Sequence, residues 1–413
     1  MWQMVIAALA LATPLVDSEG PARPQPSGPY EVLLNQYEVA RLAAINASNG
    51  AKTEEEQGRV VWPSLSEYGP RFLELAERNP GGPTARDALV WIVEQGVSVY
   101  DAEPQFLDMM TRAMERLARD YSSDEKVGQL CLGLTVYASP LRDKFLRSVY
   151  QSSTDRTVRG RACLALGEYL KRKGNIVQEF SGEIPAAELQ ELEQRFGKIY
   201  LSHLRSGSDK GLFDESEKVL KRVLADYGEI LYSRGSKGPT SKSTLADVAR
   251  RDLFELRHLL IGKKAPEIEG EDLDGKPMKL SDYRGKVVVL VFWGTWCGPC
   301  MAQVPHERSL ATRLDGKPFA LLGVDVNDEK RHARKVAEDQ RMTWRSWWDG
   351  GETPRISTLW NVRLFPSVYV LDHRGVIRYR QVHGEDLDKA VDKLLKNLRS
   401  DAGELGTPPS RKP

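Results

Sequence analysis

Val287-Val-Val-Leu-Val-Phe-Trp-Gly-Thr-Trp-Cys297-Gly-Pro-Cys300 is an apolar run that ends in a paired-cysteine motif. Its first seven residues, Val287–Trp293, read as a strand buried on both faces, because a solvated face would demand alternation. A helix is expected to follow over residues 299–314. The thiolate is the nucleophile in disulfide exchange. A cysteine at a helix start faces free backbone N–H groups and the positive end of the helix dipole, which lowers its pKa toward working pH. Pro299 suits the first turn, where no helical hydrogen bond is lost. Cys297, expected in an exposed place, therefore reads as the attacking thiol. Cys300, one turn along, reads as the resolving thiol.

Outward from the motif, strands are expected at residues 319–326, 343–347, 367–371 and 376–381. Helices are expected near residues 329–340 and 387–398. Asp274-Gly275, set between Ile268 and Met278/Leu280, is a hairpin signal, and Asp372-His-Arg-Gly375 joins the last two strands. Strands alternating with helices and ending in a hairpin imply a mixed sheet covered by helices. A zinc site would need two ligands besides the cysteine pair. No second Cys-x-x-Cys is present, and nothing in the spacing of His306 and His332 recruits them. Neither a metal nor a cofactor is expected.

Leu280-Ser-Asp-Tyr-Arg-Gly-Lys286, Phe292-Trp-Gly-Thr-Trp-Cys-Gly-Pro-Cys300, Phe365-Pro366 and Leu371-Asp-His-Arg-Gly375 together resemble thioredoxin-like proteins of the TlpA/ResA type. The likeness covers residues 262–398. It implies an extracytoplasmic bacterial disulfide reductase with disulfide-containing protein substrates and an upstream thiol electron donor. It also implies a cis peptide bond before Pro366, with the backbone of Phe365 pairing with substrate. Trp296, Gly298, Pro299, Phe365 and Pro366 are the substrate-facing residues that follow. Two positions depart from the pattern. Thioredoxin places an aspartate six residues before the first cysteine, where this chain has Val291. ResA-type proteins place a glutamate three residues after the second cysteine, where this chain has Gln303. Neither usual proton acceptor is present, which leaves Asp325, water or another carboxylate for the task.

Residues 30–261 carry helical periodicity almost throughout. Phe106, Met110, Met114, Leu117 and Tyr121 recur at three- and four-residue steps, as do Leu189, Leu192, Phe196, Ile199 and His203, and Leu245, Ala249, Leu253, Leu256 and Leu260. Residues 72–79 leading into 85–93, 114–121 into 127–136 and 145–150 into 158–170 look like units of one kind. Their spacing admits degenerate tetratricopeptide-like pairs or an ordinary helical bundle. Either way this half suits binding a protein partner. Cys131 and Cys163 fall on apolar helix faces and read as small core hydrophobes, with mutual pairing left open. His203 and the tryptophans 344, 347 and 348 read as core residues, and Lys330-Arg-His-Ala-Arg-Lys335 as a solvated helix face.

The chain of 413 residues is 41% apolar, enough for two or three cored domains. Lys plus Arg number 59 against 58 for Asp plus Glu, which gives no electrostatic footing for nucleic acid or an anionic membrane. Residues 4–16 are apolar and uncharged. As a helix they would rise about 20 Å against roughly 30 Å of hydrocarbon, so they read as an export signal, not a span. The expected organisation is multidomain: a signal peptide (1–16), a Pro-rich linker (17–29), an all-α module (30–261), an α/β thioredoxin-like fold (262–400) and a disordered tail (401–413). The expected location is periplasmic or cell-envelope, with the cytoplasm as the alternative. Two rival functions are a thiol peroxidase and a helical binding scaffold with a docking domain. Peroxiredoxins carry a threonine three residues before the reactive cysteine and a proline seven before it; here those places hold Gly294 and Leu290.

Overall fold

The computed structural model describes residues 28–96, 104–179, 208–233, 243–326, 328–350 and 354–404, with 189–190, 192–193, 197–198, 201–202 and 204. The signal peptide, the linker up to Ser27, and Phe196, Ile199 and His203 lie outside the described residues. The chain divides into two compact units, Met1–Ser122 and Ser123–Pro413.

The first unit contains α1 (Pro29–Gly50), α2 (Glu54–Gly58), α3 (Leu65–Arg78), α4 (Pro83–Gln95) and α5 (Pro104–Asp120). Ser64 starts α3 by accepting the Glu67 N–H, and Pro83 opens α4 with its φ already helical. Phe72 and Trp91 stack at 3.9 Å, and Tyr37 meets Trp91 edge-on. The expected α5 stripe of Phe106, Met110, Met114 and Leu117 is buried.

The second unit begins with α6 (Glu125–Gly133), α7 (Pro140–Ser152), α8 (Arg156–Glu179), α9 (Asp209–Asp226) and α10 (Leu245–His258). Side chains of Asp124, Ser139, Ser208 and Thr244 cap the helices that follow them. Helices α8 and α9 approach closely at Gly167, where a Cβ would stand 2.7 Å from Leu220 and where Ser216 Oγ donates to the Gly167 carbonyl. Cys131 and Cys163 are unpaired and buried, and burial pushes both thiols up to about 12.

The α/β part carries a hairpin, β1 (Glu269–Glu271) with β2 (Pro277–Lys279), turned at Gly275 with φ +79°. A 3-10 turn (Leu280–Tyr283) leads to β3 (Val287–Trp293), α11 (Gly298–Arg313), β4 (Phe319–Val326), α12 (Lys330–Asp339), β5 (Ser346–Asp349), α13 (Arg355–Leu359), β6 (Ser367–Leu371), β7 (Ile377–Arg380) and α14 (Gly384–Glu404). The sheet order is β5-β4-β3-β6-β7, with β3–β4 and β4–β5 parallel and β3–β6 and β6–β7 antiparallel. All seven residues of β3 are buried at the sheet centre, as the unbroken apolar run requires. Alternate residues feed two cores. One holds Val288, Leu290, Phe292, Trp347 and Trp360, together with Leu259 from beyond the end of α10. The other holds Val289, Val291, Trp293, Cys297, Cys300 and Leu310. The outer edge of β7 is covered by residues 262–265, with Gly262 N–H donating to the Ile377 carbonyl.

Strand β5 starts at Ser346, later than expected, where its pairing with β4 begins at Gly323, and Met342 and Trp344 before it line a cavity beside α11. The final helix runs through Glu404, so the tail expected to be disordered from residue 401 is helical over its first four residues. The first strong helix breakers there, Pro408 and Pro409, come later.

Candidate functional site

Strand β3 delivers the motif to the start of α11. Cys297 caps that helix: its Sγ accepts the backbone N–H of Cys300 at 3.1 Å. The two cysteines form a disulfide with their Cα atoms 5.2 Å apart. Contrary to expectation, Cys297 is 5% exposed and Cys300 3%. Both sulfurs sit in the core formed with Val291 and Trp293, and the exposed rim is made instead by Trp296, Gly298 and Pro299.

Trp296 is 54% exposed yet fixed in place. Its Nε1 donates to the Val326 carbonyl at 3.1 Å, and its ring meets Phe365 edge-on at 4.9 Å. The ring folds back over Gly294, where a Cβ would lie 2.6 Å from Trp296 Nε1. Phe365 precedes Pro366 through a cis peptide bond, and Leu364 beside it is 73% exposed. Thr295 is held by Asp328, which accepts from the Thr295 backbone N–H at 2.7 Å and its hydroxyl at 2.6 Å.

Positions 291 and 303 hold Val and Gln, and a buried acid reaches the same ground from elsewhere. Val291 lines a small cavity with Trp293, Cys300, Met301, Val304, Glu307, Met342 and Trp344. Glu307 is 4% exposed, and burial alone pushes its carboxyl up to about 7. Gln303 Oε1 is 3.0 Å from His383 Nδ1, and burial holds that imidazole below its ordinary value. Asp325, the acid singled out from sequence, pairs in register with Trp293 and is fully buried, but it does not line this cavity. Neither of its oxygens has a well-formed hydrogen bond; burial, with the Asp328 and Asp349 carboxylates nearby, pushes it up to about 9. Glu307 was legible in principle. Cys300, Val304, Glu307 and Leu310 follow one buried helical stripe, and an acid there breaks the apolar pattern.

Residues 261–380 match the AhpC/TSA family. Thiol-disulfide oxidoreductase ResA of Geobacillus kaustophilus is 33% identical over 139 residues, covering 34% of this chain and 78% of that protein. The chain belongs to this thiol–disulfide oxidoreductase family. Thioredoxin-like protein YneN of Bacillus subtilis is 31% identical over 120 residues, 28% of this chain and 68% of that protein. The solved thioredoxin domain of a thiol-disulfide oxidoreductase from Bacteroides vulgatus is 25% identical, covering 33% of this chain and 98% of that chain with a TM-score of 0.31.

The remaining sequence candidates fall away from the ResA-type site. Trp347 is wholly buried in the opposite core, with its Nε1 donating to the Met278 carbonyl. Trp348 Nε1 donates to the Asp328 carbonyl. Lys330 and Arg334 lie on the surface of α12, paired with Glu271 and with Asp274 and Glu338. His306 is 3.6 Å from Asp388, and among the described residues no group of His, Cys, Asp and Glu has the makings of a metal site.

Proposed function

We propose that this thiol–disulfide oxidoreductase reduces disulfides in exported partner proteins, with Cys297 attacking and Cys300 resolving. The observation that carries the roles is the Cys297 sulfur at the head of α11, taking the Cys300 N–H. A thiolate there is favoured by the helix terminus. It attacks one sulfur of the substrate disulfide, that bond breaks, and the other substrate sulfur leaves as thiolate. Cys300 then attacks Cys297 Sγ, the mixed disulfide breaks, and the second substrate thiolate departs. Two electrons have passed to the substrate, and an upstream dithiol donor must return them. Exposed Trp296, Gly298 and Pro299, with Leu364 and Phe365 opposite, form an apolar rim suited to an extended substrate segment. The export assignment rests on the uncharged apolar residues 4–16, and the helical half supplies a surface for a further protein partner.

The test is trapping. Cys300→Ser should accumulate mixed disulfides with substrate, Cys297→Ser should form none, and the reduced wild type should cleave insulin disulfides. Equal trapping by both variants, or by neither, would overturn the roles. Mass spectrometry of the natural protein checks export, where an intact Met1 would count against it. The peroxidase alternative predicts consumption of hydrogen peroxide and is expected to fail.

A further inference from the structure

Cys300 and Glu307 are seven residues apart on α11, which returns them to nearly one face about 10 Å apart along the axis. Helical side chains lean toward the N-terminus, so the Glu307 side chain extends back toward Cys300. Both line the same cavity, which leaves about 10 Å³ of room for a water centre. That is close to what one water molecule needs. We propose that Glu307 is the proton acceptor for Cys300 in the resolving step. This rests on Cys300 as the resolving thiol.

Among the described residues no other titratable group lines the cavity. Strand β3 contributes Val291 and Trp293, α11 contributes Met301 and Val304 beside the pair, and the segment before β5 contributes Met342 and Trp344. On the neighbouring turn Gln303 is engaged with His383, whose imidazole is held low by burial. Asp325 on β4 is pushed up to about 9, so it holds its proton near neutrality and is a poor acceptor. Glu307, raised to about 7 by burial, is divided between acid and carboxylate near neutrality. A base with that balance suits a buried thiol, whose own pKa burial raises. In the step, the Cys300 S–H bond breaks and the proton passes to the Glu307 carboxylate. The freed sulfur forms the bond to Cys297 Sγ, and the electrons of the Cys297–substrate bond leave on the substrate sulfur. On re-reduction by the donor, Cys300 departs as thiolate and takes that proton back.

The experiment mixes the reduced full chain with 5,5′-dithiobis(2-nitrobenzoic acid) in a stopped flow across pH. The first coloured thiolate reports attack by Cys297, and the second reports resolution by Cys300. The second phase should rise through an ionisation near neutrality. Glu307→Gln should slow it about 10²-fold and remove that ionisation, while leaving the first phase unchanged. Glu307→Asp should keep the ionisation. An unaltered second phase in Glu307→Gln, or loss of the ionisation in Asp325→Asn instead, would overturn the assignment. Should Glu307→Gln misfold, ¹³C-glutamate NMR of the wild type decides: Glu307 must titrate at a different pH in oxidised and reduced protein, and one common value refutes the role. Two equivalents of coloured thiolate from Cys300→Ser would instead refute Cys300 as the resolving group, a separate failure.

Discussion

Glu255→Ala should destabilise the second unit by about 3 kcal/mol or more, the cost of stranding one partner of a buried ion pair. Glu255 leaves α10 and accepts from Lys171 of α8 at 2.6 Å and from Arg380 of β7 at 2.9 Å. Asp252 accepts a second bond from Lys171 at 2.7 Å. The side chains are shielded, with Glu255 11%, Lys171 12% and Arg380 21% exposed, so solvent screening removes little. Burial alone would raise the Glu255 pKa, but the Lys171 and Arg380 charges overcome it and hold the carboxyl well below its ordinary value. Its contribution is therefore complete above the unfolded value of 4.5 and is lost as pH falls below that toward the folded value. In Glu255→Ala, Lys171 keeps Asp252, whereas Arg380 loses its carboxylate partner and keeps Tyr369, a neutral one. Urea unfolding followed by fluorescence of the buried Trp347 and Trp360 measures the loss at pH 7. Glu255→Leu with Arg380→Met, which strands no charge, should recover much of it. A fragment beginning at Lys263 lacks this anchor and also Leu259 of the sheet core, so it should unfold at lower urea than the full chain. A loss under about 1 kcal/mol in Glu255→Ala, with a fragment as stable as the whole, would refute the coupling.

Glu307 has its folded pKa raised from 4.5 to about 7, so its destabilising effect is absent below the unfolded value, grows across that window and is complete above it. Glu307→Gln should therefore gain about 3 kcal/mol at pH 8 and almost nothing at pH 4, read from urea midpoints at the two pH values. Gly294→Thr would install the peroxidase threonine beneath the Trp296 ring and should shift the tryptophan fluorescence and slow attack on disulfides without creating peroxide consumption. Cys131 and Cys163, fully buried with thiols pushed up to about 12, should resist iodoacetamide in the native protein and react on unfolding, as mass mapping would show.

Short-range signals made most of the α/β part legible. The unbroken run Val287–Trp293 became the central strand, and Asp274-Gly275 became the hairpin turn because only a small residue readily takes the positive φ found at Gly275. The helix start at Cys297 was readable from Pro299 and the motif. Burial of Cys297 was not, because the core around it takes in Phe365, which arrives from 68 residues further along the chain. The Glu255–Arg380 pair spans 125 residues and has no local signature. Glu307 has a local signature as the one acid on the buried Cys300–Leu310 stripe, but it lies four residues beyond Gln303, where ResA-type proteins carry their glutamate.

Among the described residues of this unit Glu255 and Glu307 are nearly buried with pKa values shifted in opposite directions, and the difference lies in their neighbours. Glu255 meets two cations, so its charge is stabilised inside the fold and its loss strands them. Glu307 meets apolar side chains and one cysteine, so nothing offsets the desolvation of its charge. A matched buried charge serves as an anchor, because moving its proton would dismantle the pairs around it. An unmatched one holds two protonation states close in energy, which is the property a proton acceptor needs. A leucine at position 307 would extend the apolar stripe from Val304 to Leu310 and spare the protein that instability above neutrality. The carboxyl sits there at a cost in stability, on the small cavity that it shares with Cys300, the thiol that must lose a proton in the resolving step.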